Sequence, residues 1–281
     1  MTSKNRHGAG RAGGRWLLTG AFLLAAGLSC GPAAAQEVTP PADIAKAQQI
    51  VYCAAVGAPP LSYYKEDGKL VGLEIDFGED LARRLGVKAV WKDVQFDGII
   101  PALLAKHCDA IISGLYNRPK RREVVDFIDY MSSSQTVLTR KGNPRGIKTL
   151  DDLSGLKMSV SNGTTIQSIA EQENEKLKAA GKAPIDIVVF PKEVDALQSL
   201  RIDQTQAYGT SIEISAYYIF QAPELFELAG EPFNHINAGI GLRKDDPDLT
   251  KALTKAFDGM KADGAYRSLM AKYGFEKLML Q

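Results

Sequence analysis

Two loops of this sequence carry side chains of the types that hold small anions. The segment 161–165 reads SNGTT and joins a predicted strand to a predicted helix, so it offers backbone N–H groups and hydroxyls to a carboxylate or phosphate. The segment 114–121 contains Arg118, Lys120 and Arg121. Arg121 can meet a carboxylate with two parallel hydrogen bonds, which lysine cannot do. Either loop could therefore bind an anion. Taken alone, 161–165 is more often an ordinary helix N-cap, and a solvated basic turn is the alternative for 114–121.

Both loops follow predicted strands in a chain whose strands and helices alternate from Ile50 onward. Apolar runs, helix-start signals and turn residues predict, in order, a strand at Ile50–Ala55, a helix from Asp76 to Gly86, a strand at Val87–Trp91, a helix from Asp97 and a strand at Asp109–Ser113. This alternation implies a parallel sheet with crossover helices.

A second unit of the same pattern begins after residue 144. The sequence predicts a strand at Lys157–Ser161, a helix from Thr164, a strand at Ile185–Phe190, a helix from Lys192, a strand at Gln206–Tyr208, and closing helices at Leu249–Lys261, which Asp248 can cap, and Ala265–Lys272. The chain is therefore predicted to be an α/β protein with two lobes. In open α/β sheets ligands bind beyond the carboxyl ends of the strands. We expect the site in the loops that follow Ala55, Ser113, Ser161 and Tyr208.

The first 35 residues are predicted to be a signal peptide for export to the periplasm. Arg11 and Arg15 precede an apolar stretch too short to span a bilayer comfortably, and the alanines at 33–35 fit a signal-peptidase site. A lipoprotein that begins at Cys30 is the alternative, although Gly27 stands where a large aliphatic residue is normally found. Residues 36–49 are interpreted as a polar leader that precedes the fold.

The overall charge indicates a small ligand rather than a polymer. Lys and Arg total 34 against 33 for Asp and Glu, so no net field draws the chain to nucleic acid or anionic lipid. His107 and His235 lie in no recognisable nucleophile or metal motif, so no metal site is predicted.

Cys53 and Cys108 follow the predicted signal peptide and would reach an oxidising compartment, where a disulfide is permitted. Sequence alone cannot bring their Cα atoms within bonding range. We expect two buried thiols, because free cysteine is among the most buried residue types, and a disulfide is the alternative.

A series of short motifs then connects the sequence to a known family. In order along the chain they are GLEID at 72–76, ARRLG at 82–86, FDGIIPAL at 96–103, DAIISG at 109–114, Arg121, VDF at 125–127, LDDL at 150–153, GTT at 163–165, ALQSL at 196–200, GEPF at 230–233 and KADG at 261–264. Together they closely resemble the polar-amino-acid (family 3) extracellular solute-binding proteins over nearly all of residues 50–274.

The resemblance implies a type II periplasmic-binding-protein fold, with the ligand in a cleft between two lobes. It places the first lobe at 50–134, the second at 135–236 and a return to the first at 237–281, with crossings near Ser134–Val137 and His235–Gly239. The binding residues carried over by resemblance are Arg121 for the ligand carboxylate, Thr165 to assist it, Phe96 to pack on the ligand, and Ser113 with Gly114 to offer hydrogen bonds. Thr164 from the loop 161–165, Tyr116 and Ser211 complete the set of eight predicted ligand-binding residues.

Several positions depart from the family pattern. Ala58 replaces an aromatic residue that usually covers the ligand, and Ala54 replaces a nearby polar residue. Tyr116 replaces a small hydroxyl residue beside the pocket. The aspartate that normally holds the ligand's α-ammonium becomes Ser211, or Tyr208 in a shifted alignment, with Glu213 two residues beyond Ser211. We therefore expect a carboxylate ligand that is not held through a conventional α-ammonium group.

By resemblance, the chain is predicted to be the substrate-binding component of an ABC importer. Its expected partners are a small carboxylate, amino acid or derivative, and a transporter permease, and it is expected to be a monomer. Lobe closure needs only converging polar groups, so no cofactor is implied. A dehydratase on the same scaffold, specific for cyclohexadienyl or arogenate substrates, is the main alternative, because Glu74 or Glu213 could serve as a general acid. A receptor sensor module is the third.

Overall fold

The computed structural model describes residues 38–280, so the predicted signal peptide and Cys30 lie outside the described residues. Among residues 38–280, no helix combines the length and the apolar character needed to cross a bilayer.

The first part of the chain forms a sheet flanked by helices, as the alternating pattern predicts. Its elements are α1 (Ala42–Ala47), β1 (Gln49–Ala54), β2 (Tyr63–Tyr64), β3 (Leu70–Val71), α2 (Leu73–Arg84), β4 (Lys88–Asp93), α3 (Ile99–Leu104), β5 (Ala110–Ile111) and α4 (Pro119–Arg122). Strand β1 pairs in parallel with β4 on one side and β5 on the other. This is the first lobe.

The rest of the chain contains two long strands with a second α/β unit between them. The elements are β6 (Val125–Arg140), β7 (Lys157–Ser161), α5 (Thr165–Ala179), β8 (Asp186–Phe190), α6 (Glu193–Arg201), β9 (Ala207–Ser211), α7 (Ile212–Gln221), β10 (Phe226–Leu228), β11 (Phe233–Arg243), α8 (Pro247–Ala262) and α9 (Ala265–Lys272). Strand β7 pairs in parallel with β8 and β9, which is the second lobe.

One continuous sheet passes through both lobes. Its strand order is β4-β1-β5-β11-β6-β9-β7-β8, and β10 pairs with β6. Strands β6 and β11 run antiparallel to each other in the middle of that order, and they contain the segments where the resemblance placed the crossings. Strand β11 also pairs with β5, and α8 and α9 pack on α2, so the end of the chain completes the first lobe. The predicted two-lobed fold class is confirmed.

Helix α2 begins three residues earlier than the predicted start at Asp76. Its first N–H groups are satisfied by the preceding loop, because Leu73 N donates to Pro60 O at 3.0 Å and Glu74 N to Leu61 O at 3.0 Å. No capping side chain is therefore needed. Gly72 has a φ of 139°, and a Cβ there would lie 2.0 Å from Leu61 O, so the tight turn requires glycine.

Helix α8 begins at Pro247, and its capping residue is Asp246 rather than the predicted Asp248. Asp246 Oδ1 accepts from Leu249 N at 3.2 Å. Proline is well placed in the first turn of a helix because it has no N–H to satisfy. Asp248 follows it inside that turn, where the positive end of the helix dipole stabilises its negative charge.

The predicted leader at 36–49 is instead part of the first lobe from Val38 onward. Val38 and Ile44 are buried in its core, and Val38 N donates to Arg84 O at 2.9 Å. The prediction failed because two isolated apolar residues in a polar segment give no periodic signal.

Cys53 and Cys108 form a disulfide, so the expectation of two buried thiols is wrong. Their Cα atoms are 5.7 Å apart. Cys53 lies opposite Ile111 in the parallel β1–β5 pair, which brings the turn before β5 against β1. Sequence could not reveal this proximity because it depends on the register of two strands that lie far apart in the chain.

Candidate functional site

A cavity of about 170 Å³ lies between the lobes at the carboxyl ends of their strands. The loops after β1, β5 and β7 line it, together with the end of β9, as the strand-end rule predicts. The loop after β8 lines it too, through Pro191, Lys192 and Glu193. An apolar cavity of similar volume, about 150 Å³, can hold a benzene molecule, so this cavity suits a ligand of amino-acid size.

Seven of the eight predicted site residues line this cavity. They are Phe96, Ser113, Gly114, Tyr116, Thr164, Thr165 and Ser211. Arg121, the eighth, does not line it but borders it, because its guanidinium lies 5.4 Å from the ring centroid of Phe96. The fold therefore brings the two anion-binding loops of the sequence to the same cavity.

Arg121 is a cation without an acidic partner among residues 38–280. Its guanidinium donates to Tyr116 O at 3.1 Å and to Gly163 O at 3.2 Å. The described ion pairs of residues 38–280 do not include it. Burial, together with the Arg118 guanidinium nearby, lowers the pKa of Arg121 to about 10. A ligand carboxylate would supply the missing negative charge.

The two lobes touch at the mouth of the cleft. Asn162 Nδ2 donates to Asp97 Oδ2 at 2.8 Å, and Arg118 donates to Ser168 Oγ at 3.2 Å. A Cβ on Gly163 would lie 2.9 Å from the Cα of Asp97, so this close approach needs glycine. The contacts join the first-lobe loops to the start of α5.

The polar groups on the first-lobe wall of the cavity mostly have protein partners. Ser113 Oγ accepts from Ala55 N at 2.9 Å, and Ser62 Oγ donates to Ala55 O at 3.2 Å. The hydroxyl of Tyr116 lies 2.9 Å from that of Ser133 on β6. This wall is held in place by its own hydrogen bonds.

Glu74 is the exception on that wall. Its Oε1 accepts from Gly114 N at 2.5 Å and from the Tyr130 hydroxyl, but its Oε2 is buried without a partner among the described residues. Burial raises the pKa of Glu74 to about 7, against the lowering effect of the hydrogen bonds from Tyr130 and Gly114. A buried carboxyl of this kind can bind a proton or a cation near neutral pH.

The second-lobe wall carries hydroxyls that have no partner in the part of the chain that the structure describes. The side chain oxygens of Thr165, Thr210 and Ser211 are buried and unpartnered among residues 38–280, as is Nε2 of Gln135 on the crossing strand β6. Thr164 occupies the N-cap position of α5, but its hydroxyl donates to Ser161 O at 2.7 Å and does not cap the helix. Buried polar groups are nearly always hydrogen-bonded in native proteins, so these groups indicate a polar ligand.

Three residues were considered in place of the family's ammonium-binding aspartate, and the structure puts them in different positions relative to the cavity. Ser211 lines the cavity, whereas Tyr208 is fully buried and its hydroxyl donates to Glu193. Glu213 is buried just behind Ser211, and neither of its carboxyl oxygens has a partner in the described part of the chain. Burial raises the pKa of Glu213, and Glu213 does not line the cavity itself.

Gln135, Glu193 and Thr210 line the cavity and were missed by sequence analysis. Gln135 lies in the polar run SSSQT at 132–136, inside a strand that is otherwise largely apolar. That interruption was a usable signal. Glu193 follows the carboxyl end of β8, so the strand-end rule would have found it had the loop after β8 been included.

Two α/β lobes joined by two crossing strands, with a polar cavity between them, define the class of two-lobed solute-binding proteins. The chain belongs to the bacterial extracellular solute-binding proteins, family 3, whose model matches residues 50–277.

Known relatives agree with that assignment. The L-cystine-binding protein TcyJ of Escherichia coli strain K12 is 31% identical over 216 residues, which cover 76% of this chain and 78% of TcyJ. The lysine/arginine/ornithine-binding periplasmic protein of the same strain is 33% identical over 224 residues, with 76% and 83% covered. The crystal structure of the ancestral amino acid-binding protein AncCDT-1, a precursor of cyclohexadienyl dehydratase, superposes with a TM-score of 0.75 at 31% identity, covering 82% of this chain and 97% of that one.

Proposed function

We propose that this protein binds an amino acid or amino-acid-like small carboxylate between its lobes in the periplasm and presents it to the permease of an ABC importer. The observation that carries the proposal is the position of Arg121. Within the described part of the chain its guanidinium has no acidic partner, and it lies at the edge of a cavity whose opposite wall bears hydroxyls without a described partner. A carboxylate would satisfy both sets of groups at once. The names of the periplasmic relatives support the same ligand class.

Ligand capture would proceed by lobe closure of a monomer. The first-lobe wall offers a preformed surface, and contacts from Thr165, Thr210 and Ser211 become available only when the second lobe is close. A ligand shifts the equilibrium toward the closed state because it binds that state more tightly. Export through cleavage after residue 35 is part of this proposal, and lipid anchoring through Cys30 is its alternative.

A thermal melting screen tests the proposal. The mature protein is mixed with the twenty common amino acids, small organic acids and N-substituted amino acids. A ligand at about a hundred times its dissociation constant adds roughly 2.7 kcal/mol to the free energy of unfolding, which corresponds to a rise of several degrees for a chain of this size. Failure of every carboxylate to raise the melting temperature contradicts the proposal.

Small-angle scattering tests closure separately. The ligand that gives the largest melting shift should reduce the radius of gyration at saturation. An unchanged scattering profile at saturation argues against closure while leaving ligand binding intact.

The dehydratase alternative needs a general acid. Of the two carboxyls considered for that role, Glu74 lines the cavity and has its pKa raised by burial to about 7, and a general acid works best near its operating pH. AncCDT-1 is described as an amino acid-binding protein that preceded such an enzyme, so the scaffold alone does not decide. Incubation with prephenate and with arogenate decides: we expect no product, and turnover that Glu74→Gln abolishes would establish the enzyme.

A further inference from the structure

Helix α7 is a second-lobe element that meets the first lobe along one face. Tyr217 packs against Tyr63 of β2, and their ring centroids are 6.1 Å apart. Glu213 lies one helical turn before Tyr217, so the two side chains leave α7 on the same face. Burial and the negative charge of Glu213 both raise the pKa of Tyr116, which belongs to the loop after β5 of the first lobe. The face of α7 that carries Glu213 and Tyr217 therefore lies at the junction of the lobes.

Glu213 is a fully buried carboxyl with no counter-charge among the described residues. Neither of its oxygens has a hydrogen-bond partner within residues 38–280, and none of the described ion pairs includes it. Burial raises the pKa of Glu213, although the nearby hydroxyls of Ser133 and Ser211 and its own backbone N–H act in the opposite direction. A buried carboxylate without a cation is strongly unfavourable, whereas its protonated form carries no charge to solvate. The closed arrangement of the lobes therefore favours the protonated form of Glu213.

The other titratable groups that face Glu213 supply no positive charge. They are Tyr116 from the loop after β5, Tyr130 from β6 and Glu74 from α2, and burial raises the pKa of each, with a further contribution from the charge of Glu213. Strands β9 and β10 also pack on α7. Their titratable side chains, and the cation at the end of β6, have other partners: Tyr208 donates to Glu193, Glu227 pairs with Lys141, and Arg140 pairs with Asp203. Within the described part of the chain, only a proton can therefore neutralise Glu213.

Separation of the lobes would bring water towards this carboxyl. Glu213 lies just behind Ser211, and Ser211 and Tyr116 line the cavity from opposite lobes. When the loop after β5 moves away from the end of β9, the cavity opens and solvent reaches the layer in front of Glu213. Hydration stabilises the ionised form, so the pKa of Glu213 is lower in the open state than in the closed state. Opening and ionisation therefore favour each other.

We propose that Glu213 couples lobe closure to the uptake of a proton, so that a fall in pH favours the closed state and a rise in pH favours the open state. The inference rests on lobe closure, which is part of the proposed function, and adds its regulation by pH. Burial raises the closed-state pKa of Glu213 above the ordinary value of 4.5. The contribution of this proton to closure is therefore complete below about pH 4.5 and is lost as the pH rises through the closed-state pKa.

The ligand-free mature protein tests the coupling, so the identity of the ligand does not enter. Small-angle scattering between about pH 5 and pH 8 should give a radius of gyration that increases with pH. One linked proton changes the ratio of closed to open molecules by at most about tenfold per pH unit, so the change should extend over more than one unit.

Spin labels measure the two populations directly. Arg118 of the first lobe donates to Ser168 of α5 at 3.2 Å, which fixes where the closed lobes touch. The substitutions Lys120→Cys and Glu171→Cys, at exposed neighbours of this contact, carry the labels, because the disulfide engages both cysteines of residues 38–280. The short distance between the labels marks the closed state, and a longer distance should replace it as the pH rises.

Glu213→Gln identifies the residue responsible, because glutamine has the shape of the protonated acid and cannot ionise. At about pH 8 the variant should be closed to a greater extent than the wild type, and its ratio of closed to open molecules should change by about tenfold less across the pH range. Glu74 and Glu193, whose pKa values burial raises to about 7, also line the cavity, so part of the pH response should remain. Glu224→Gln is the matched control, because Glu224 is exposed just beyond α7 and does not line the cavity.

The outcomes separate this inference from the proposed function. A radius of gyration and a label distance that do not change with pH in the wild-type protein overturn the coupling, and this result does not depend on whether Glu213→Gln folds. A pH response of full size in Glu213→Gln, equal to that of Glu224→Gln, overturns the role of Glu213. Neither result bears on ligand binding, which the melting screen tests at one fixed pH. Failure of every carboxylate in that screen contradicts the proposed function itself.

Discussion

The two walls of the cavity differ in how their polar groups are satisfied. On the first-lobe wall, Ser62 and Ser113 are hydrogen-bonded to the protein, and Oε2 of Glu74 has no partner among residues 38–280. On the second-lobe wall, Thr165, Thr210 and Ser211 all carry hydroxyls without a described partner. The first wall is therefore preformed, whereas the second is completed by what enters the cavity.

This difference suggests an order of events. A ligand can dock on the first lobe without rearranging it, because its hydrogen bonds already fix the loops after β1 and β5. The second lobe gains hydrogen bonds only when the ligand reaches its hydroxyls, so those contacts favour the closed state. Four predictions test this contrast.

The largest expected effect is the loss of ligand affinity when Arg121 is replaced. Arg121 lies on the first lobe, and its guanidinium donates to Gly163 O of the second. Removing one partner of a buried charge pair costs about 2–5 kcal/mol, which corresponds to roughly thirty- to several-thousand-fold in affinity. Calorimetry of Arg121→Ala with the native ligand should show this loss, while Lys120→Ala, which removes an exposed charge one residue away, should bind normally. A change below about threefold contradicts the carboxylate role.

The disulfide should stabilise the first lobe against unfolding by urea. The bond between Cys53 and Cys108 closes a loop of 55 residues. Chain-entropy arguments give such a bond about 4 kcal/mol, and disulfides typically contribute about 2–4 kcal/mol. We expect the double variant Cys53→Ala/Cys108→Ala to lower the free energy of unfolding in urea by roughly that amount and to keep the same ligand preference. Altered preference would mean that the bond shapes the cavity as well as the core.

The pH dependence of stability tests the buried carboxyl of Glu74. Burial raises the pKa of Glu74 in the folded protein to about 7 from its ordinary value of 4.5, so its stabilising contribution is present below about pH 4.5 and is lost as the pH rises through 7. The loss is at most about 3 kcal/mol for a shift of this size. Urea unfolding of the ligand-free protein between about pH 5 and pH 8 should show it, and Glu74→Gln should make the slope shallower, leaving the part that comes from Glu193, whose pKa burial also raises to about 7. The same slope in Glu74→Gln and wild type would refute the assignment.

The smallest effects are expected from removing one hydroxyl on each wall. The two variants should change the stability of the ligand-free protein differently. Ser113→Ala leaves Ala55 N without its partner and should destabilise the ligand-free protein by about 1 kcal/mol. Ser211→Ala removes an unpartnered hydroxyl, so we expect little loss or a small gain in stability, together with an affinity roughly five- to tenfold lower. Thermal melts and calorimetry of the two variants decide. Equal destabilisation by both would show that the walls do not differ.

Much of the fold could be predicted because local patterns agree with tertiary structure. The strand Lys157–Ser161 and the helix Ala265–Lys272 appear at their predicted bounds. The start of α2 was missed because its cap comes from the backbone of a preceding loop, which has no side-chain signature. Strand β6 is sixteen residues long, and a sequence cannot show that one strand serves both lobes.

The candidate site was predicted better from loop position than from residue type. The strand-end rule located the loops that carry Ser113, Thr165 and Ser211, and the structure brings them to one cavity. The acidic character of the cavity was missed because Glu74 and Glu193 lie more than a hundred positions apart in the chain. They line the same cavity only once the chain has folded. Whether the predicted site residues bind ligand stays a prediction.

The return of β11 to the first lobe has a consequence for the order in which the chain folds. During synthesis, β6 and the strands of the second lobe are all available before β11 exists, whereas β5 must wait for β11 as its outer neighbour. The lobe that is begun first is therefore finished last, by α8 and α9 on α2. A chain that stops before residue 244 should contain a nearly complete second lobe and a first lobe whose helix α2 exposes its apolar face, which makes such fragments prone to aggregate.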